Sequence, residues 1–117
     1  MITAVHALAH AEDADAAGTF FRDVLEWPFV DAHDGWLIFK TGPSELGVHP
    51  AGDGPPRHEI SLICDDLDQT VTDLQAKGAV FEGDAEQRAF GRGIALSVPG
   101  AGTMFLYEPR HATAYDL

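Results

Sequence analysis

The chain has 117 residues, 45% hydrophobic and 22% charged, which suits one soluble globular domain with a single core. A formal net charge of −12 with only seven Lys and Arg argues against nucleic acids and anionic membranes as partners, because phosphate affinity needs clustered cations. The single cysteine, Cys64, rules out an internal disulfide, and no N-terminal run has the length or flanks of a signal peptide or membrane span, so cytoplasm is the expected compartment.

In chain order, Ile2 to His10 reads as a strand. Glu12-Asp13-Ala14-Asp15 then offers acidic caps to a helix over Ala16 to Glu26, where Phe20, Phe21, Val24 and Leu25 recur at helical spacing. A short strand is expected at Phe29-Val30. A hairpin follows, from Trp36-Leu37-Ile38-Phe39-Lys40 through the turn Thr41-Gly42-Pro43 to Glu45–His49. Ala51 to Pro56 is a breaker-rich linker. The order then repeats: strand His58 to Cys64, cap Asp65-Asp66, a helix carrying Leu67, Val71 and Leu74 and ending at Gly78, a short strand at Val80-Phe81, and a hairpin. That hairpin runs from Gly93–Val98 through Pro99-Gly100-Ala101-Gly102 to Thr103–Glu108. The unit is therefore βαβββ, present twice: module one over about 1–50, the linker 51–56, and module two over about 57–110. Neither copy alone could bury the helix-facing side of its sheet, so the expectation is one α+β domain spanning 1–117.

The duplication sorts the polar residues. His6 and His58 occupy matching places in the opening strands, whereas His49 and Glu108 each stand directly before the proline that closes a last strand. Imidazole and carboxylate on separate strands suit Zn²⁺, Ni²⁺, Fe²⁺ or Mn²⁺. Period-two alternation puts His6, Leu8 and His10 on one face, and Glu45, Gly47 and His49 on one face of another strand. Glu45 is the rival to His49 for its ligand place, and Gly47 would leave room for a substrate. His33 in a turn and His111 in the tail read as solvent-exposed. Ser44, Ser61 and Ser97 lack a nucleophile-elbow context. Cys64 reads as a buried core residue.

In this order of elements and ligands the chain resembles the vicinal oxygen chelate superfamily, which includes glyoxalase I, extradiol dioxygenases, methylmalonyl-CoA epimerase and bleomycin-binding proteins. Phe20-Phe21-Arg22-Asp23-Val24-Leu25-Glu26-Trp27 also looks like the family's aromatic helix end, with Glu26 where glycine is usual. The resemblance implies two modules curled into a mixed-sheet cup with one divalent metal on its floor, held by His6, His49, His58 and Glu108. It further implies a glyoxalase-like lyase or isomerase acting on a small substrate with vicinal oxygens through an enediolate-type oxyanion, with Glu108 or His49 moving the proton. A two-fold homodimer is expected, because family cups often pair modules from two chains. Glyoxalase I differs at three places, where this chain has His49, His10 and Asp53. His6, His58 and Glu108 fall onto the two-histidine, one-glutamate set of Fe²⁺ extradiol dioxygenases. The alternatives are therefore such a dioxygenase, or a metal-free bleomycin-type protein that sequesters its ligand.

Overall fold

The computed structural model describes residues 1–24, 27–42, 44–98 and 102–117. Its element order is βαβββ twice: β1 Ile2–Ala11, α1 Ala14–Thr19, β2 Phe29–Asp31, β3 Leu37–Lys40 and β4 Glu45–Pro50, then β5 Arg57–Cys64, α2 Leu67–Ala76, β6 Phe81–Arg88, β7 Gly91–Val98 and β8 Gly102–Pro109. The class is α+β with parallel and antiparallel pairs. The expected turn residues Pro43 and Pro99 to Ala101, and Leu25 and Glu26 of the expected helix end, lie outside the described residues. Two compact units are formed: Val5–Ile60 with Ala112–Leu117, here the first unit, and Ser61–His111 with Met1–Ala4, the second.

In the first unit the strand order is β2-β3-β4-β1. Asp13 caps α1, its Oδ1 accepting from the Ala16 N–H at 2.9 Å. The helix gives way to a π-helical turn over Phe20–Val24, so the single α-helix expected over 16–26 is replaced by two shorter pieces. One face of the sheet is aromatic: Phe39 is fully buried and meets the rings of Phe21, Trp27 and Phe29 at centroid distances of 5.5, 6.4 and 5.9 Å. Gly18 of α1 is buried beside Leu37, and a Cβ there would make ordinary contact with Leu37 Cδ1 at 3.5 Å. Residues alternating with these on β3 and β4 face the other way, and that second face carries the polar groups described below.

In the second unit the order is β5-β8-β7-β6. Asp66 caps α2 by accepting from the Gln69 N–H at 3.1 Å, and the helix closes at Gly78 (φ 93°) with Gly78 and Ala79 N–H groups returning to Gln75 and Leu74 carbonyls. The core here is Cys64, Leu67, Ile94 and Leu106, with Val71, Leu74 and Phe81 packed against it. β6 extends over eight residues, although only Val80-Phe81 read as strand. Its polar run Glu82 to Arg88 lacks an apolar alternation, yet the long β7 partner supplies the ladder, with an irregularity between Glu82 and Glu86. No helix among the described residues is long and apolar enough to cross a membrane.

Candidate functional site

The parallel β1–β4 register places His6 opposite Glu45, Leu8 opposite Gly47, and His10 opposite His49. His6 and Glu45 are 4% and 0% exposed, and His6 Nδ1 lies 2.5 Å from Glu45 Oε2. The other carboxylate oxygen, Oε1, accepts the Ala114 N–H at 2.9 Å. Thus the segment 112–117 reaches the polar face of this sheet, where Lys40 Nζ also donates to the Leu117 carbonyl. Burial of a carboxylate is costly unless its lone pairs are occupied, and here an imidazole and a backbone amide occupy them.

Gly47 is what makes the arrangement fit. A Cβ built there would lie 2.8 Å from Leu8 Cδ1 and 3.0 Å from His6 Nε2, so any side chain would push the imidazole off its place.

Four residues further along the same face stands a second imidazole–carboxylate contact. His10, 8% exposed, has Nε2 2.5 Å from Oε2 of Glu59 on β5, while its Nδ1 is buried with no hydrogen-bond partner. The His49 ring meets that of His10 edge-on at 5.9 Å between centroids. His49 itself is exposed and donates from Nδ1 to the Pro50 carbonyl at 2.9 Å.

The four residues expected around one ion are therefore found in different surroundings. His6 pairs with Glu45, the rival weighed against His49. His49 faces His10. His58 is exposed on β5. Glu108 Oε1 accepts the N–H of Leu67, the first residue of α2, at 3.0 Å; a carboxylate there satisfies an orphan donor and complements the helix N-terminus. His111, expected in solvent, is half-buried, with Nε2 2.8 Å from the Tyr107 hydroxyl. His33 is exposed beside Asp34, as its turn position suggested. Cys64 is buried, which pushes its thiol up to about 11 and keeps it protonated and unreactive near neutrality.

Two participants escaped the sequence reading. Glu59 alternates with His58 on β5, and only the pairing of strands shows which of the two meets an imidazole. The Ala114 amide carries no side-chain signal at all. A cleft of about 280 Å³ is bordered by Asp15, Arg22, Asp31, Leu37 and Val48. It opens on the α1 side of the sheet, opposite to His6 and Glu45, because Val48 and Gly47 point to different faces.

As donors, His6 and Glu45 suit a borderline divalent cation, for which imidazole nitrogen and carboxylate oxygen are good ligands. Their 2.5 Å contact would open to the roughly 3 Å separation of neighbouring donors on one ion.

No family model and no curated protein matches the sequence. Solved structures do match. A methylmalonyl-CoA epimerase superposes with a TM-score of 0.71 at 13% identity, covering 93% of this chain and 97% of that one. The methylmalonyl-CoA epimerase of Mycobacterium tuberculosis gives 0.66 at 16% identity, with 92% and 89% covered. A Legionella pneumophila protein described as an NAD-dependent benzaldehyde dehydrogenase gives 0.64 at 12%, with 91% and 99% covered. The fold is that of the vicinal oxygen chelate proteins, and at these identities the likeness extends to the fold alone.

Proposed function

We propose that the protein is a metal-dependent isomerase or lyase that moves a proton at a carbon beside a carbonyl in a small substrate. The observation that carries this reading is the buried His6–Glu45 pair, a nitrogen and an oxygen donor side by side on one sheet face with glycine beside them. The epimerases sharing the fold are named for this type of reaction. In this reading His6 and Glu45 are the core of the ligand set. A further donor is needed to complete the set. When bound, the divalent cation supplies Lewis-acid stabilisation of the substrate oxyanion. Glu45 takes the proton, the role expected of Glu108 or His49 from sequence, because it is the carboxylate held beside an imidazole. Zn²⁺, Ni²⁺, Fe²⁺ and Mn²⁺ all match the donor chemistry. A cytoplasmic homodimer completes the proposal, and sedimentation equilibrium tests the pairing.

The test is deuterium wash-in, followed by NMR, at the acidic carbon of a panel of α-hydroxycarbonyl compounds and acyl thioesters with metal-replete, untagged protein. Wild type should exchange at least one of them. Glu45→Gln should slow that exchange by about 10²- to 10⁴-fold, the usual size of a lost acid–base contribution, and His6→Ala should release one equivalent of bound metal. No exchange across the panel, with an aromatic ligand held equally well after metal removal, would replace catalysis by sequestration.

A further inference from the structure

We infer that residues 112–117 form a strap over the His6–Glu45 pair, which lifts to admit a substrate and then closes again on Glu45. This rests on the reading of that pair as the reactive one. A substrate must reach both side chains, yet Glu45 is 0% and His6 4% exposed. The strand that carries Glu45 cannot supply the opening, because β4 is paired on both sides, with His6 of β1 and Lys40 of β3 as the register partners of Glu45. The group that covers the carboxylate directly is Ala114, itself 0% exposed, whose N–H donates to Glu45 Oε1 at 2.9 Å. All these residues belong to the first unit.

The strap can move as a piece. Residues 112–117 contain neither helix nor strand and close on themselves: the Leu117 N–H returns to the Ala114 carbonyl at 3.1 Å, and the Thr113 hydroxyl donates to the Asp116 carboxylate at 3.0 Å. Its outer end is held from β3, where the Lys40 ammonium donates to the Leu117 carbonyl. Lifting it breaks the contacts at Ala114 and Lys40 and leaves the β1–β4 and β3–β4 ladders intact. Local openings are drawn from segments of this kind, outside the regular elements.

Closure also governs the chemistry of the carboxylate. With the strap down, the Ala114 amide takes one oxygen of Glu45 and the His6 imidazole the other. Lifting frees Oε1 to accept a proton from a substrate carbon, the electron pair of the broken C–H bond staying on the substrate, while Oε2 stays on the His6 side. Between turnovers the returning amide keeps the buried carboxylate satisfied, which an uncovered apolar pocket would not.

Carboxylate labelling with a carbodiimide and glycine ethyl ester, read peptide by peptide by mass spectrometry, tests this on the full chain without requiring turnover. In wild type Glu45 should label far more slowly than Glu59, whose side chain is 55% exposed. Ala114→Trp puts a large ring at a fully buried position, and Lys40→Met removes the donor at the outer end. Each should speed Glu45 labelling by about tenfold or more, the weight of one charge-assisted hydrogen bond. The buried Cys64 of the second unit should stay as slow towards a thiol reagent as in wild type. Unchanged Glu45 labelling in both variants, or a rise matched by Cys64, overturns the inference. A strap that opens with no proton exchange anywhere in the substrate panel would end the enzyme reading and leave the strap; exchange by wild type with Glu45 labelling unmoved in the variants would end the strap and leave the enzyme.

Discussion

The two units share a plan, βαβββ with first and last strands paired in parallel, and they fill it with opposite chemistry. In the first unit the β1–β4 register sets His6 against Glu45 and His10 against His49. In the second the β5–β8 register sets Leu62 against Leu106 and Ile63 against Tyr107. Leu106, Ile63, Leu67 and Cys64 are essentially buried, each side chain of that size contributing about 1.5–3 kcal/mol by leaving water. The buried groups of the first unit include two imidazoles and a carboxylate, which burial alone penalises. A duplicated unit can divide its labour in this way. The second copy buries mainly apolar side chains, whereas the first buries Ile38, Phe39 and Val48 and also holds polar groups on one sheet face.

That contrast can be broken at its strongest point. Glu45→Ala removes the acceptor of both His6 and the Ala114 amide, and breaking such a buried pair costs about 3–5 kcal/mol. Leu106→Ala in the apolar copy should cost about 2–5 kcal/mol through lost transfer energy and a cavity. Glu45→Leu separates the two cases: if the polar face is held for function, this variant should recover much of the stability lost in Glu45→Ala while losing bound metal. Urea denaturation of all three checks this. A Glu45→Ala loss below about 1 kcal/mol would show that the pair is not the buried contact described.

The next effect in size concerns pH. Burial raises the Cys64 thiol to about 11, so the unfolded chain releases this proton first. Stability is therefore unaffected below about pH 8.5, falls as pH climbs through 9 to 11, and is lowered by up to about 2.7 kcal/mol above that. Cys64→Ala should flatten that limb of the curve. Wild-type protein should also react with a thiol reagent at pH 8 only as fast as it opens.

The smallest effect is at Glu108. If its carboxylate serves the N-terminus of α2, Glu108→Ala should cost about 0.5–2 kcal/mol, Glu108→Gln less, and neither should change bound metal. Loss of metal in Glu108→Gln would return this residue to the ligand set and blur the division between the copies.

The duplication and the order of elements along the chain were legible because period-two and helical patterns with proline and glycine breaks are local signals, as at Glu45–Pro50 and Leu67–Gly78. Ligand partnership was not local. His49 and Glu108 match in sequence position, but the choice between Glu45 and His49 depends on how β4 registers against β1, and a stagger of four residues decides which carboxylate or imidazole meets His6. Glu108 illustrates a further ambiguity, since a carboxylate at the end of a strand can serve a metal or a helix terminus equally well. The polar β6 strand and the Ala114 amide are fixed by partners distant in sequence and leave no pattern of their own.

The six residues 112–117 belong to the first unit, and Met1–Ala4 to the second. During synthesis, then, the whole of the second module is made before the amide that seats Glu45 exists. The early half of the chain must wait with that carboxylate provisionally solvated, and its polar face closes last. A fragment cut at the linker 51–56 would carry His6 and Glu45 and still lack the backbone group that completes them.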